Sequence, residues 1–293
     1  MLSQELQNLL EVVPKNFADP QADYRAVREM FGPFHGHPVP DDLRITIGEF
    51  GGVRVGSYSN AQTESVERTV FHCHGGAFVS CPLDVYHFYA EMTMRLTRSK
   101  VVMPDYRLAP EHPYPAALDD CFNAYRGLLE SGVDPRTLHF FGESCGGGLA
   151  LGVLLRAREQ GLPMPNSFVS LTGWFDLTVA DTENNGRDPF LTPEWIRRRA
   201  EEYLNGAVAP NDPRVSPAYA DLTGLPPMYL QIGQYDTVRE GALRVAASAV
   251  RDGVEVTMES WPGMIHGWQG LANMQVPEAL EAWKRIKEYL DKR

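Results

Sequence analysis

No apolar run in this 293-residue chain approaches the roughly 20 residues that a bilayer-spanning helix needs, so no membrane insertion is expected. The N-terminus also lacks the basic and apolar regions of a secretory signal, which points to a cytoplasmic protein. Cysteine is scarce. Cys73, Cys81, Cys121 and Cys145 show no paired metal-ligand spacing, and in a reducing compartment they are expected to stay free of disulfides. Cations are in deficit, 27 Lys and Arg against 38 Asp and Glu. The resulting net charge of −11 argues against nucleic acid or an anionic membrane as partner and says nothing of neutral small molecules. Internal repeats and low-complexity linkers are missing as well. What remains is 43% hydrophobic content, enough for a substantial globular core.

Short apolar, β-branched runs predict strands at residues 43–50, 53–58, 69–73, 101–104, 138–141, 167–171, 228–232 and 254–261. Helical patterns lie between most of the later ones. This alternation predicts an α/β fold with a mostly parallel sheet covered by helices on both faces, and the first two strands read as an antiparallel hairpin about Gly51-Gly52. Residues 1–42 read as N-terminal helices, with Leu2, Leu6, Leu9 and Leu10 at helical spacing, and 43–293 as the sheet domain. That domain is interrupted at about 181–213 by a polar, then helical insertion. Active residues of such a sheet belong at the carboxyl ends of its strands.

One such end carries Gly142-Glu143-Ser144-Cys145-Gly146, a G-x-S-x-G sequence between an apolar strand and a small-residue helix. The glycines permit the sharp turn that lifts Ser144 to the start of the helix, where free N–H groups favour developing negative charge. A serine nucleophile needs an oxyanion hole, a base and an orienting acid. His74-Gly75-Gly76 follows the strand at 69–73, so the N–H groups of Gly75 and Gly76, with that of Cys145, are the candidate oxyanion donors. His266, in a late loop, is the candidate base. Asp236, after the run at 228–232, is the candidate acid, with Asp176 a second by position. The chain order Ser, Asp, His is that of an α/β-hydrolase.

Taken together, these features resemble the hormone-sensitive-lipase-like family of α/β-hydrolase carboxylesterases. The resemblance rests on His74-Gly75-Gly76, the segment from Asp105-Tyr106-Arg107 to Pro115-Ala116-Ala117, the serine elbow, and Gly224-Leu225-Pro226-Pro227 leading to Asp236 and His266. It implies Ser144 as nucleophile, His266 as base, Asp236 as its acid and an oxyanion hole of Gly75, Gly76 and Cys145. The chain departs from the family's usual residues at Glu143, Cys145 and Ala77, where aspartate, alanine and a third glycine are usual. The resemblance also implies a helical cap made of the N-terminal helices and the insertion, with Phe31, Phe34, Trp195 and Tyr203 lining the substrate entrance and Trp174 forming a pocket wall. The loop 105–117 is expected to be structural, its prolines restricting the backbone and Arg107 pairing with Glu111. Arg197-Arg198-Arg199 is expected to be a solvated helix face.

The implied activity is hydrolysis of short- to medium-chain carboxylic esters through an acyl-enzyme, without cofactor or metal. A lactone is the alternative substrate of the same chemistry, and a ligand receptor on a hydrolase scaffold is the non-enzymatic alternative. The H-x-H pairs His35/His37 and His72/His74 raise a metal reading that zinc spacing rules do not favour. Family members are often dimeric, which makes a homodimer the expected assembly.

Overall fold

Strands buried on both faces read as nearly continuous apolar runs, because successive side chains point into opposite layers. A computed structural model, which describes residues 2–12, 19–32, 38–180 and 187–293, shows this along the centre of the sheet. Phe71, Phe140, Phe168 and Leu230 enter one apolar layer, whereas their neighbours Val70, Phe141, Val169 and Tyr229 enter the other. The eight strands are β1 (Arg44–Phe50), β2 (Val53–Ser59), β3 (Thr69–Cys73), β4 (Lys100–Pro104), β5 (Leu138–Glu143), β6 (Ser167–Leu171), β7 (Met228–Gly233) and β8 (Val256–Trp261). Their order is β1-β2-β4-β3-β5-β6-β7-β8, with β1 and β2 antiparallel and β3 to β8 mutually parallel. Gly51 and Gly52, at φ of 57° and 80°, supply the left-handed turn that a two-residue hairpin requires.

On one face lie α4 (Leu83–Thr97) and α9 (Pro277–Leu290). On the other lie α5 (Ala116–Glu130), α6 (Cys145–Glu159) and α8 (Arg239–Arg251). All eight predicted strands are present, with ends shifted by at most two residues.

The N-terminal helices divide their work. In α1 (Gln4–Val12) Leu6 is fully buried in the α4/α9 layer, and the N–H and Oγ of Ser3 donate to the Glu278 carboxylate at 2.6 and 2.7 Å. This helix therefore packs against the last one. By contrast α2 (Tyr24–Met30), capped by Asp23, lies over the carboxyl ends of the strands. The short α3 (Ala61–Glu64) has its own capping box.

In the insertion, α7 (Pro193–Leu204) starts at a Thr192 cap with Pro193 in its first turn, where the missing N–H costs nothing. Its arginine run differs from the expected solvated face. Arg198 donates to the carbonyls of Pro20 and Gln21, and buried Arg199 to that of Ala22 and to Glu202, so only Arg197 is exposed. The physical reason is the row of free carbonyls in the 20–22 segment, which needs donors once α7 covers it. The expected Arg107–Glu111 pair is likewise not formed. Arg107 grips Asp120 of α5 with two hydrogen bonds of 2.8 Å, and Glu111 faces the other way to receive Arg28 of α2. Among the described residues no helix is long and apolar enough to cross a membrane.

Candidate active site

The elbow at the end of β5 is a close approach of backbones. A Cβ on Gly146 would sit 2.0 Å from the Cys73 carbonyl oxygen, and one on Gly142 would sit 2.3 Å from the Gly146 oxygen, so only glycine fits either position. Between them Ser144 adopts φ 54° and ψ −129°, a conformation that costs about 1–3 kcal/mol and is held by its neighbours. Its N–H donates to the Leu171 carbonyl and its own carbonyl accepts from Trp174 N–H, which ties the elbow to β6 and the segment beyond it.

The late loop brings His266 Nε2 to 2.9 Å from Ser144 Oγ, while His266 Nδ1 lies 2.8 Å from Asp236 Oδ1. Asp236 is fully buried and Asp236 Oδ1 also accepts the Val238 N–H. Gly267 N–H donates to Thr172 Oγ1, fixing the loop behind the imidazole. Burial by itself pushes the His266 pKa down, but the Asp236 carboxylate overcomes this, with Asp188 and Glu143 adding, and the net shift is upward. Asp176, the second acid considered, is engaged elsewhere by Thr178 and Tyr219.

Asp188 carries no sequence signal of its own, yet it is buried beside the triad. Its oxygens accept Thr237 N–H and Phe190 N–H at 3.0 Å each, clamping the insertion to the Asp236 turn. Burial pushes its pKa up to about 6, opposed by the nearby imidazole.

At the end of β3 the glycine turn differs from the expected donor set. Gly75 N–H donates to the Glu143 carboxylate and is unavailable to a substrate. The N–H groups of Gly76, Ala77 and Cys145 have no oxygen acceptor among the described residues, and Gly76, Ala77 and Ser144 share one pocket. On this turn the N–H groups left without an oxygen acceptor are therefore those of Gly76 and Ala77, not that of Gly75. The cause is the acid at position 143, whose carboxylate also receives His72 Nε2. His74 stacks on Tyr106 at 4.0 Å, and burial lowers its pKa to about 4, so it is neutral. His72 and His74 thus both have protein partners; His35 and His37 lie outside the described residues.

The pocket above Ser144 has a volume of about 370 Å³, near the lower end of the range for small-molecule sites. Phe31 and Trp195 line it, together with Met30, Tyr86, Leu191 and Leu271. Phe34 lies outside the described residues. Trp174 and Tyr203 do not line it. Both are buried behind the glycine turn, where Tyr203 stacks on Phe78 at 3.9 Å and Trp174 packs against Phe78 at 5.6 Å, because the Trp174 indole N–H turns away to the Asp176 carbonyl. A helical period marks Tyr203 as buried but not which cavity it faces.

Residues 70–270 match the model of a family described by its α/β-hydrolase fold. An esterase of Acinetobacter venetianus is 35% identical over 255 residues, covering 86% of this chain and 83% of that one. Among solved structures, EstE5 superposes with a TM-score of 0.92 at 32% identity, over 99% of this chain and 98% of its own. An esterase of the bacterial hormone-sensitive lipase family gives 0.91 at 31% identity, over 100% and 99%. The chain belongs to the α/β-hydrolase family, in its hormone-sensitive-lipase-like branch.

Proposed function

We propose that this esterase hydrolyses short- to medium-chain carboxylic esters through an acyl-enzyme on Ser144. The reading is carried by the continuous Ser144–His266–Asp236 hydrogen-bond chain at the floor of an apolar pocket. His266 takes the hydroxyl proton as Ser144 Oγ bonds to the acyl carbon. The carbonyl electron pair moves onto oxygen, facing the N–H groups of Gly76, Ala77 and Cys145. Collapse breaks the bond to the alcohol, which leaves with the proton from His266, and water then repeats the attack to release the acid. Asp236 holds the imidazole tautomer and stabilises its cation.

The N-terminal α2 and the insertion helix α7 act as the cap, and the modest apolar volume they enclose is what supports the short- to medium-chain range. One structure of EstE5 was soaked with p-nitrophenyl butyrate and another is of EstE5-PMSF, which favours the same nucleophilic chemistry here. A homodimer is the assembly to expect, and analytical ultracentrifugation checks it.

The test is turnover of nitrophenyl esters of increasing acyl length, with lactones included, by the wild type and Ser144→Ala, both shown to be folded by circular dichroism. Loss of turnover in Ser144→Ala is expected, with the best substrates among the shorter esters. Undiminished turnover in that variant would reject Ser144 as nucleophile.

A further inference from the structure

The two residues that flank Ser144 in the elbow both reach the glycine turn, at opposite ends. Glu143 is buried, and its carboxylate takes the N–H of Gly75. Cys145 is also buried, and its Sγ takes the N–H of Phe78 at 3.2 Å, with the Ala77 N–H beside it. Between these ties lie Gly76 and Ala77, whose N–H groups have no oxygen acceptor among the described residues. The turn needs holding: Ala77 and Phe78 sit at φ 53° and 67°, unfavourable for residues with a Cβ, and Gly76 at 105°.

Behind it the Phe78 ring is fixed between Tyr203 and Trp174. The Glu143 carboxylate is itself aimed by His72 Nε2, whose other nitrogen faces Thr93 Oγ1 at 3.4 Å. Burial pushes the Cys145 thiol up to about 12, which keeps it protonated. It serves as a neutral acceptor and not as a nucleophile.

We propose that Glu143 and Cys145 are positioning residues of the oxyanion hole, tying the two ends of the 75–78 turn to the elbow so that the Gly76 and Ala77 donors are set relative to Ser144. The inference rests on the acyl-enzyme reading above. Neither side chain touches the reacting atoms in this account. Each acts through the backbone it holds, and its contribution belongs to the transition state, because the oxyanion position is occupied by developing charge only then.

The experiment compares the wild type with Cys145→Ala, Cys145→Ser and Glu143→Gln. For each, kcat and KM are measured on p-nitrophenyl butyrate. Inhibition is measured with an alkyl trifluoromethyl ketone, which adds to the serine to form an oxyanion, and with the matching secondary alcohol, which does not. PMSF labelling of Ser144 is followed by mass spectrometry.

Cys145→Ala is expected to lower kcat about tenfold and to weaken the ketone by a similar factor, with KM and alcohol binding changed less than about twofold. Cys145→Ser returns an acceptor for the Phe78 N–H and is expected to recover most of the loss. Glu143→Gln keeps the shape but weakens a charge-assisted bond to a neutral one, and a several-fold fall in kcat is expected with the same selectivity for the ketone. It tests the other tie should Cys145→Ala fail to fold.

Wild-type kcat and ketone affinity in folded Cys145→Ala and Glu143→Gln would overturn the proposal, as would equal weakening of ketone and alcohol. A wild type in which PMSF leaves Ser144 unlabelled would overturn the acyl-enzyme reading, and this proposal with it.

Discussion

At the residue scale, the proposed chemistry turns on a histidine whose environment opposes its own burial. The base must be neutral to accept the Ser144 proton, and with its pKa shifted upward the acid limb of kcat/KM is expected above the ordinary imidazole value of about 6.5. Asp236→Asn is expected to lower that limb and to cut kcat by up to about 10⁴-fold by losing the tautomer, read from a pH–rate profile. A pKa raised on folding stabilises the fold below the unfolded value and loses that contribution as pH rises through the folded value. The His266–Asp236 pair therefore favours folding on the acid side, where the proposed mechanism predicts the least activity.

Asp188 has the same sign. Its stabilisation is complete below its ordinary value of 3.8 and is lost as pH rises through about 6. Thermal melts of Asp188→Asn against the wild type are expected to show the variant gaining in relative stability from about pH 4 to pH 7. Gly146→Ala meets a backbone oxygen that cannot move without β3. A loss of about 3 kcal/mol or more in urea unfolding is expected.

At the element scale, one arginine joins the N-terminal helix to the site. Arg28 of α2 donates to the Val79 and Ala109 carbonyls and forks onto Glu111, fastening that helix beside the glycine turn. Because α2 contributes Val27, Met30 and Phe31 to the pocket but nothing to the triad, Arg28→Ala is expected to raise KM roughly fivefold with little change in kcat, as measured by steady-state kinetics. This fastening was not legible in the chain. The spacing of Arg107 and Glu111 suggested a local pair, whereas each had a better partner from another element, and a loop's short-range spacing says nothing of what packs against it. The central strands β3, β5, β6 and β7 were legible because both their faces are covered, which forces apolar runs too short for helices. The Arg197–Arg199 run was misread because carbonyls in a distant segment, not solvent, receive it.

At the scale of the whole molecule, all four cysteines are buried and free. Burial raises the thiol pKa of Cys145 to about 12 and that of Cys81 and Cys121 well above the ordinary range. Iodoacetamide is therefore expected to leave native activity intact and to label all four thiols only in denaturant, which mass spectrometry distinguishes.

The sequence by itself determined the sheet, the elbow and the order of Ser144, Asp236 and His266, because each depends on local necessities: glycine where backbones meet, apolar runs where two layers close, candidate catalytic side chains at strand ends. Only the tertiary structure decided which N–H groups of the turn are engaged, that of Gly75 among them, and that Trp174 and Tyr203 pack behind the turn instead of lining the cavity. Those outcomes are contacts between segments far apart in the chain, such as Glu143 with Gly75 and Tyr203 with Phe78. Such contacts follow from how the layers pack, which no local pattern encodes.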